Sequence, residues 1–351
     1  MVVDDSAIAR GIVTRTLAIE PGINVVASAA NGLMALKAMK AHPIDVVVLD
    51  IEMPGLDGME TLPRLLELDP DLKVIMASSL SRRNADISLR AISLGACDYV
   101  PKPSSGLGGA EEFRRELVQK VLAHAAMRKR SVRTARVEPV REAVQKPALL
   151  KREAKSFEKP SVIAIGSSTG GPQALAKVLA NLDPSIEQPI VITQHMPATF
   201  TALLAEHMTR YAGREAAEAR DGEPLMPRRI YVAPGGKHLL LEPRAGGAIV
   251  RLDDGPPENS CKPAVDPMLR SLAPIYKSRV LTVILTGMGV DGLKGCREVV
   301  REGGIVLAQD QASSVVWGMP GAVAQAGLCR DILPLAEIRS AIGKIARGEA
   351  I

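Results

Sequence analysis

The sequence predicts an α/β protein of two domains, each built on a mainly parallel sheet, joined by a basic tether. Three observations predict it. Short apolar runs alternate with segments whose apolar residues recur every three or four positions, the pattern of strands buried on both faces and followed by covering helices. That alternation occupies residues 1–126 and restarts at 160–351, but dissolves between them. The length of 351 residues suits two domains of ordinary size, each able to bury a core.

In the first domain the strand candidates are MVV, INVVASA, DVVVL, KVIMA and DYV, separated by helical segments such as GLMALKAMKA and METLPRLLEL. EEFRRELVQKVLAHAA closes this unit, a doubly wound parallel sheet, as an amphipathic helix. Residues 127–159 carry prolines, alternating charges and few branched apolar residues, the mark of a flexible linker. The strands of the second domain are SVIAIG, PIVITQ, RIYVA, HLLLE, AIVRL, VLTVILTG and GIVLAQ. Residues 229–252 read as an antiparallel meander with the turns PGGK and RAGG, so a mixed sheet is expected there, mostly parallel with a hairpin region. The last helix, PLAEIRSAIGKIA, places Leu335, Ile338, Ile342 and Ile345 on one face.

Composition narrows the function. Hydrophobic residues make up 46% and aromatics only 2%, so the cores are aliphatic. No apolar run approaches the roughly 20 residues of a membrane span, and the first residues lack a secretory pattern. The four cysteines are scattered, with no metal-ligand spacing, and suit a reducing cytoplasm. The net charge of +5 is local: residues 127–160 hold 11 Lys and Arg against 4 Asp and Glu, leaving the rest of the chain slightly acidic. With one aromatic, Phe157, and no helix-turn-helix or zinc pattern, that stretch is a solvated linker rather than a nucleic-acid site.

Three features stand at the carboxyl ends of the first domain's strands, where ligands of open α/β sheets bind. Asp4 and Asp5 follow MVV, Asp50 follows VVVL, and Ser78 and Lys102 follow KVIMA and DYVP. Converging carboxylates repel one another unless a hard cation such as Mg²⁺ joins them. Asp50 is then free to attack phosphorus, with the lysine and hydroxyl opposite. DDS, LDIEMPGLDG, ASS and PKP together resemble the receiver domain of two-component response regulators, a flavodoxin-like fold, over residues 1–126. The resemblance implies Asp50 as phospho-acceptor, Mg²⁺ held by Asp4, Asp5, Asp50 and the backbone carbonyl of Glu52, Ser78 and Tyr99 as switch residues, and Lys102 as the phosphate-binding lysine. Only three residues precede the acid pair, which leaves the first strand short.

The second domain opens on IGSSTGG. It lacks the lysine of a Walker loop and the glycine spacing of a dinucleotide loop, but Gly166-Ser167-Ser168-Thr169-Gly170 fits G-x-S-x-G, whose register favours Ser168 as nucleophile. Of five histidines, His195 ends the strand PIVITQ and so reaches the same sheet edge as Ser168, and Asp291 follows VLTVILTGMGV at that edge. These types suit a nucleophile, its base and the base's orienter. The backbone around Thr169 and Met288 is placed to support an oxyanion. AIGSSTGG, TQHMP, YVAPGGKH, AVDPML, LTGMGVDG and VWGMPGAV, in this order, resemble the catalytic domain of the chemotaxis protein-glutamate methylesterases, the CheB family. The resemblance implies Ser168, His195 and Asp291 as the triad, with no cofactor in this domain. It implies hydrolysis of methyl esters on glutamates of chemoreceptor cytoplasmic domains, deamidation of receptor glutamines, and phosphorylation by a chemotaxis histidine kinase. A cytoplasmic enzyme follows, with no nucleic acid or membrane insertion. Cys261-Lys262-Pro263 stands where a histidine-containing turn is expected, and Trp317 where a tyrosine is commoner. The alternative is a phosphorylation-dependent interaction module without turnover.

Overall fold

The structure, a computed structural model, describes residues 1–79, 81–102, 107–134 and 158–350. The chain divides into two compact units, Met1–Glu142 and Ala143–Ile351.

The first unit alternates strands β1 (Val2–Val3), β2 (Ser28–Ala29), β3 (Val46–Asp50), β4 (Lys73–Ser78) and β5 (Asp98–Pro101) with helices α1 (Ala7–Ala18), α2 (Gly32–Ala41), α3 (Gly58–Leu68), α4 (Arg82–Ser93) and α5 (Leu107–Thr134). The strands pair in parallel in the order β2-β1-β3-β4-β5. Ser6, Asn31, Asp57 and Ser81 cap α1 to α4, each side chain accepting a first-turn N–H. Asp57 and Glu60 form a reciprocal capping box on α3. Each such cap is commonly worth about 1 kcal/mol and fixes where the helix leaves the strand end. The run INVVASA pairs only at Ser28–Ala29, because its partner β1 offers just Val2 and Val3 to the ladder. The core joins Val46, Val48 and Ile75 of the sheet to Val13 and Leu17 of α1 and Leu117 and Val121 of α5. Helix α5 continues past residue 126 to Thr134; the rest of the stretch read as a linker, 135–157, lies outside the described residues.

The second unit contains β6 (Val162–Ser167), α6 (Gly171–Leu179), β7 (Ile190–Gln194), α7 (Ala198–Ala212), β8 (Ala216–Glu218), β9 (Ile230–Val232), β10 (His238–Arg244), β11 (Gly247–Asp253), α8 (Val265–Tyr276), β12 (Val280–Ile284), α9 (Leu293–Arg301), β13 (Ile305–Gln309), α10 (Met319–Gln325), β14 (Asp331–Leu333) and α11 (Leu335–Ala346). Seven strands pair in parallel in the order β14-β13-β12-β6-β7-β9-β8. Of the residues read as a meander, β9 joins this sheet in parallel and only the rest stays outside it. β10 and β11 form a separate antiparallel pair, and their inward side chains Leu239, Leu241, Ala248 and Val250 share a core with Met268 and Leu272 of α8. The expected mixed sheet is therefore a parallel sheet plus a hairpin. The edge strands β8 and β14, AAE and DIL, carry too little apolar pattern to be expected from sequence. On α11, Ile338, Ile342 and Ile345 are buried as the periodicity requires, while Leu335 is half-buried.

Candidate active site

Both sheets place their chemistry at carboxyl ends of strands where the strand order reverses. In the first unit the reversal lies between β1 and β3. Asp4, Asp5 and Asp50 bring carboxylate oxygens within 4.8 Å of one another. Asp4 and Asp50 are buried, and Lys102 Nζ bridges them at 2.8 and 2.7 Å. Burial pushes the Asp50 carboxyl above its ordinary range, more than the Lys102 ammonium pulls it down. Burial opposes the charge of Lys102 too, but its bonds to Asp4 and Asp50 outweigh that and hold its pKa above the usual value. An oxygen-only donor set with this much charge suits a hard divalent cation. Ser78 is buried and its Oγ accepts from Ser88 Oγ at 3.0 Å. Tyr99 is also buried; Lys120 Nζ donates to its carbonyl at 2.5 Å and sits 4.7 Å from its ring.

In the second unit the reversal lies at β6, between β7 on one side and β12 on the other. Ser168 follows β6, His195 follows β7, and the loop after β12 carries Asp291. The backbone of Ser168 is fixed on three sides: its N–H donates to Thr286 O at 3.0 Å, and its carbonyl accepts from Gly171 N at 2.7 Å and Gln194 Nε2 at 2.9 Å. Gly287 passes so close that a Cβ there would lie 2.9 Å from Ser168 Cβ and 2.3 Å from Met319 Sδ, hence glycine. Gly170 starts α6 at φ +73°, in the left-handed region. Ser167 is fully buried and its Oγ donates to Gln194 Oε1 at 2.6 Å. Ser168 is half-buried, and its Oγ has no hydrogen-bond partner among the described residues.

His195 N donates to Ser167 O at 3.1 Å, which seats the imidazole beside the serine turn. Its Nε2 bonds Asp291 Oδ2 at 2.7 Å, and its Nδ1 faces Cys261 Sγ at 3.3 Å. Burial disfavours the charged ring, but the bonds to Asp291 and Cys261 prevail and raise its pKa to about 9. Asp291 is buried, which by itself raises its pKa; the His195 bond and the N–H groups of Val265 and Asp266 reverse that and hold it ionised below the usual carboxylate range. The N–H groups of Thr169 and Met288 have no acceptor among the described residues. The structure thus joins His195 to Asp291 directly and sets Ser168 on the adjoining strand end, without a Ser168–His195 hydrogen bond.

Comparison with known proteins decides the family. The sequence matches the family described as CheB methylesterase over residues 163–342 and the response regulator receiver domain over 1–107. A protein-glutamate methylesterase/protein-glutamine glutaminase of Azospirillum brasilense is 55% identical, over 99% of this chain and 92% of its own length. Its counterpart of the group 2 operon in Rhodospirillum centenum is 54% identical, over 100% and 94%. The chain belongs to the CheB methylesterase family. Among solved structures, the Thermotoga maritima CheB methylesterase catalytic domain is 41% identical, with a TM-score of 0.51, over 53% of this chain and 98% of that one.

In this CheB-family chain, several residues of the site escape sequence reasoning. Gln194 ties Ser167 to Ser168, and Thr286 Oγ1 holds the turn through Thr169 O at 3.0 Å. Asp266, inside the AVDPML motif, is a second buried carboxylate whose pKa burial pushes up. A polar residue in an otherwise apolar helix start was its only signal. Asn259 had none.

Proposed function

We propose that the receiver domain, 1–126, controls through a tether at 127–159 an esterase domain, 160–351, that hydrolyses methyl esters on chemoreceptor glutamates and deamidates receptor glutamines. In the esterase half, Ser168 Oγ attacks the acyl carbon. In the neutral ring Nε2 keeps its proton on Asp291, so Nδ1 carries the lone pair that takes the serine proton, displacing the Cys261 contact. The N–H groups of Thr169 and Met288, which have no acceptor among the described residues, receive the oxyanion; one such donor is commonly worth roughly 3–4 kcal/mol. Protonated Nδ1 then delivers its proton to the departing methoxide oxygen, which leaves as methanol, or to the nitrogen of an amide, which leaves as ammonia, and water releases the acid by the same route. The observation that carries this reading is the 2.7 Å His195–Asp291 bond at the strand edge where the Ser168 hydroxyl stands with no hydrogen-bond partner among the described residues. No cofactor enters this half.

Protonation of His195 removes its base function. With a pKa of about 9, the second-order rate constant kcat/KM should rise with pH until about 9, close to tenfold per unit well below it. A pH profile of methanol release that is flat from neutral pH upward would refute the assignment.

In the receiver half, Asp50 takes the phosphoryl group from a chemotaxis histidine kinase. Asp4, Asp5, Asp50 and the Glu52 carbonyl would hold Mg²⁺, which supplies charge neutralisation at phosphoryl oxygens when bound. Lys102, now paired with Asp4 and Asp50, turns to the new phosphoryl group, and Ser78 and Tyr99 carry the change outward. The reading places the protein in the cytoplasm with its substrate; among the described residues no helix is long and apolar enough to cross a membrane. The test is methanol release from a methylated chemoreceptor fragment by the full chain, with and without Mg²⁺ and acetyl phosphate. Acetyl phosphate should raise the rate, and Asp50→Asn should remove that stimulation. Absence of methanol under all conditions would leave an interaction module without turnover.

A further inference from the structure

Helices α8 and α9, like the other α-helices of the esterase unit, begin without a capping side chain of their own. The N-cap of α8 is Ala264 and that of α9 is Gly292. Each is capped instead by an acid from the other's neighbourhood. Asp291, just before α9, accepts from the N–H groups of Val265 and Asp266 in the first turn of α8, at 2.6 and 3.1 Å. Asp266, in α8, accepts from Gly295 N in the first turn of α9 at 2.7 Å. This exchange locks the two helix starts together, but it also sets two buried carboxylates side by side. One side chain joins them: Asn259 Nδ2 donates to Asp291 Oδ1 at 2.8 Å and to Asp266 Oδ2 at 3.0 Å.

The turn that carries Asn259 is built to present it. Glu258 and Cys261 exchange backbone hydrogen bonds at 3.1 and 2.9 Å, and the two residues between them, Asn259 and Ser260, have φ of 53° and 62°. Positive φ at both central positions is the mirror-image hairpin turn that favours asparagine and glycine. Glu258 pins the turn to α8 by a paired bond to Arg270 at 2.6 and 2.7 Å. Backbone preference alone explains an asparagine here; it does not explain why the amide points inward and serves both acids.

We propose that Asn259 is a positioning residue for ester hydrolysis: its amide N–H groups hold Asp291 in the orientation that fixes the His195 ring, while neutralising the contact with Asp266. The proposal rests on the triad reading above. Asp291 Oδ1 is the oxygen that Asn259 holds, and Oδ2 is the one that meets His195 Nε2. Rotation of the carboxylate about its bond is therefore resisted from the far side of the imidazole. The other charged or titratable groups around this cluster are His195 from the β7 end, Glu258 and Cys261 from the turn, Asp266 and Arg270 from α8, and from α9 Lys294, 4.0 Å from Glu258, and the buried thiol of Cys296, which feels the charge of both acids.

Two substitutions separate side chain from backbone. Asn259→Gly keeps a residue at ease with positive φ but removes the amide. Asn259→Asp keeps shape and turn preference but replaces the amide donor with a third carboxylate, which donates only when protonated. The full chain, with Mg²⁺ and acetyl phosphate, is assayed for methanol release from a methylated receptor fragment across pH, beside Asp291→Asn and thermal unfolding of each variant. A lost hydrogen bond to a buried charge predicts that Asn259→Gly lowers kcat by about 10- to 100-fold with KM unchanged. Asn259→Asp should be impaired at alkaline pH, and its rate relative to wild type should climb as pH falls and the cluster takes up a proton. Wild-type kcat in Asn259→Gly, or a pH-independent ratio for Asn259→Asp, overturns the proposal even if stability falls. In those cases loss of activity in Asp291→Asn would leave the triad standing. Retention of activity in Asp291→Asn would bring down the triad and this inference together.

Discussion

Ser168→Ala should abolish methanol release, lowering kcat by on the order of 10⁴-fold or more while leaving thermal unfolding unchanged. The size follows from chemistry: without Oγ no acyl bond forms, and only the oxyanion donors and binding remain. The unchanged stability follows from geometry. The Ser168 hydroxyl has no partner among the described residues and is half-buried, so its removal opens no cavity and strands no donor there. The turn itself is held by main-chain bonds to Thr286, Gly171 and Gln194, which alanine keeps. Ser167→Ala is the contrast. That side chain is fully buried and bonded to Gln194 Oε1, so its loss leaves a buried acceptor unpaired and should cost stability of about 1–3 kcal/mol. Substantial turnover in Ser168→Ala would mean that the nucleophile has been misplaced.

Asp291→Asn should lower kcat by about 10⁴-fold and also destabilise the esterase domain. The carboxylate is an acceptor for every neighbour: His195 Nε2 and Val265 N at Oδ2, and Asn259 Nδ2, Asp266 N and Gly292 N at Oδ1. An amide has one acceptor oxygen. If its nitrogen faces His195, the ring must move its proton to Nδ1, the nitrogen that has to receive the serine hydrogen. If it faces the other side, three N–H groups meet a donor. Either arrangement also weakens the cap on α8, worth about 1 kcal/mol. The paired measurement is kcat alongside the unfolding midpoint. A large loss of kcat with no change in the midpoint would contradict the capping role; a lower midpoint with full kcat would contradict the orienting one.

Much of this was legible in the chain. Apolar runs ending in Asp50, Ser167 and Gln194 mark strands, and in a parallel sheet every strand's carboxyl end faces the same edge. Residues at or just beyond the ends of those runs, Asp50, Ser168 and His195, therefore share their sheet's edge before any coordinate is known. Glycine placement carried further information, because Gly170 and Gly287 stand where a side chain would either strain the turn or strike Ser168. Less legible were features fixed by partners distant in sequence. The strand INVVASA shortens because β1 limits the ladder, and β10–β11 leave the main sheet because their apolar face packs on α8.

The sequence by itself determined the two alternating βα patterns and the residue types at their strand ends, since both are local consequences of side-chain period and turn chemistry. Only the tertiary structure decided which imidazole nitrogen meets Asp291, that Cys261 rests against the other, and that Asn259 and Asp266 brace the acid. Those contacts join residues 25 to 96 positions apart. They depend on how α8, α9 and the β7 end converge, and no periodicity within a single segment encodes that convergence.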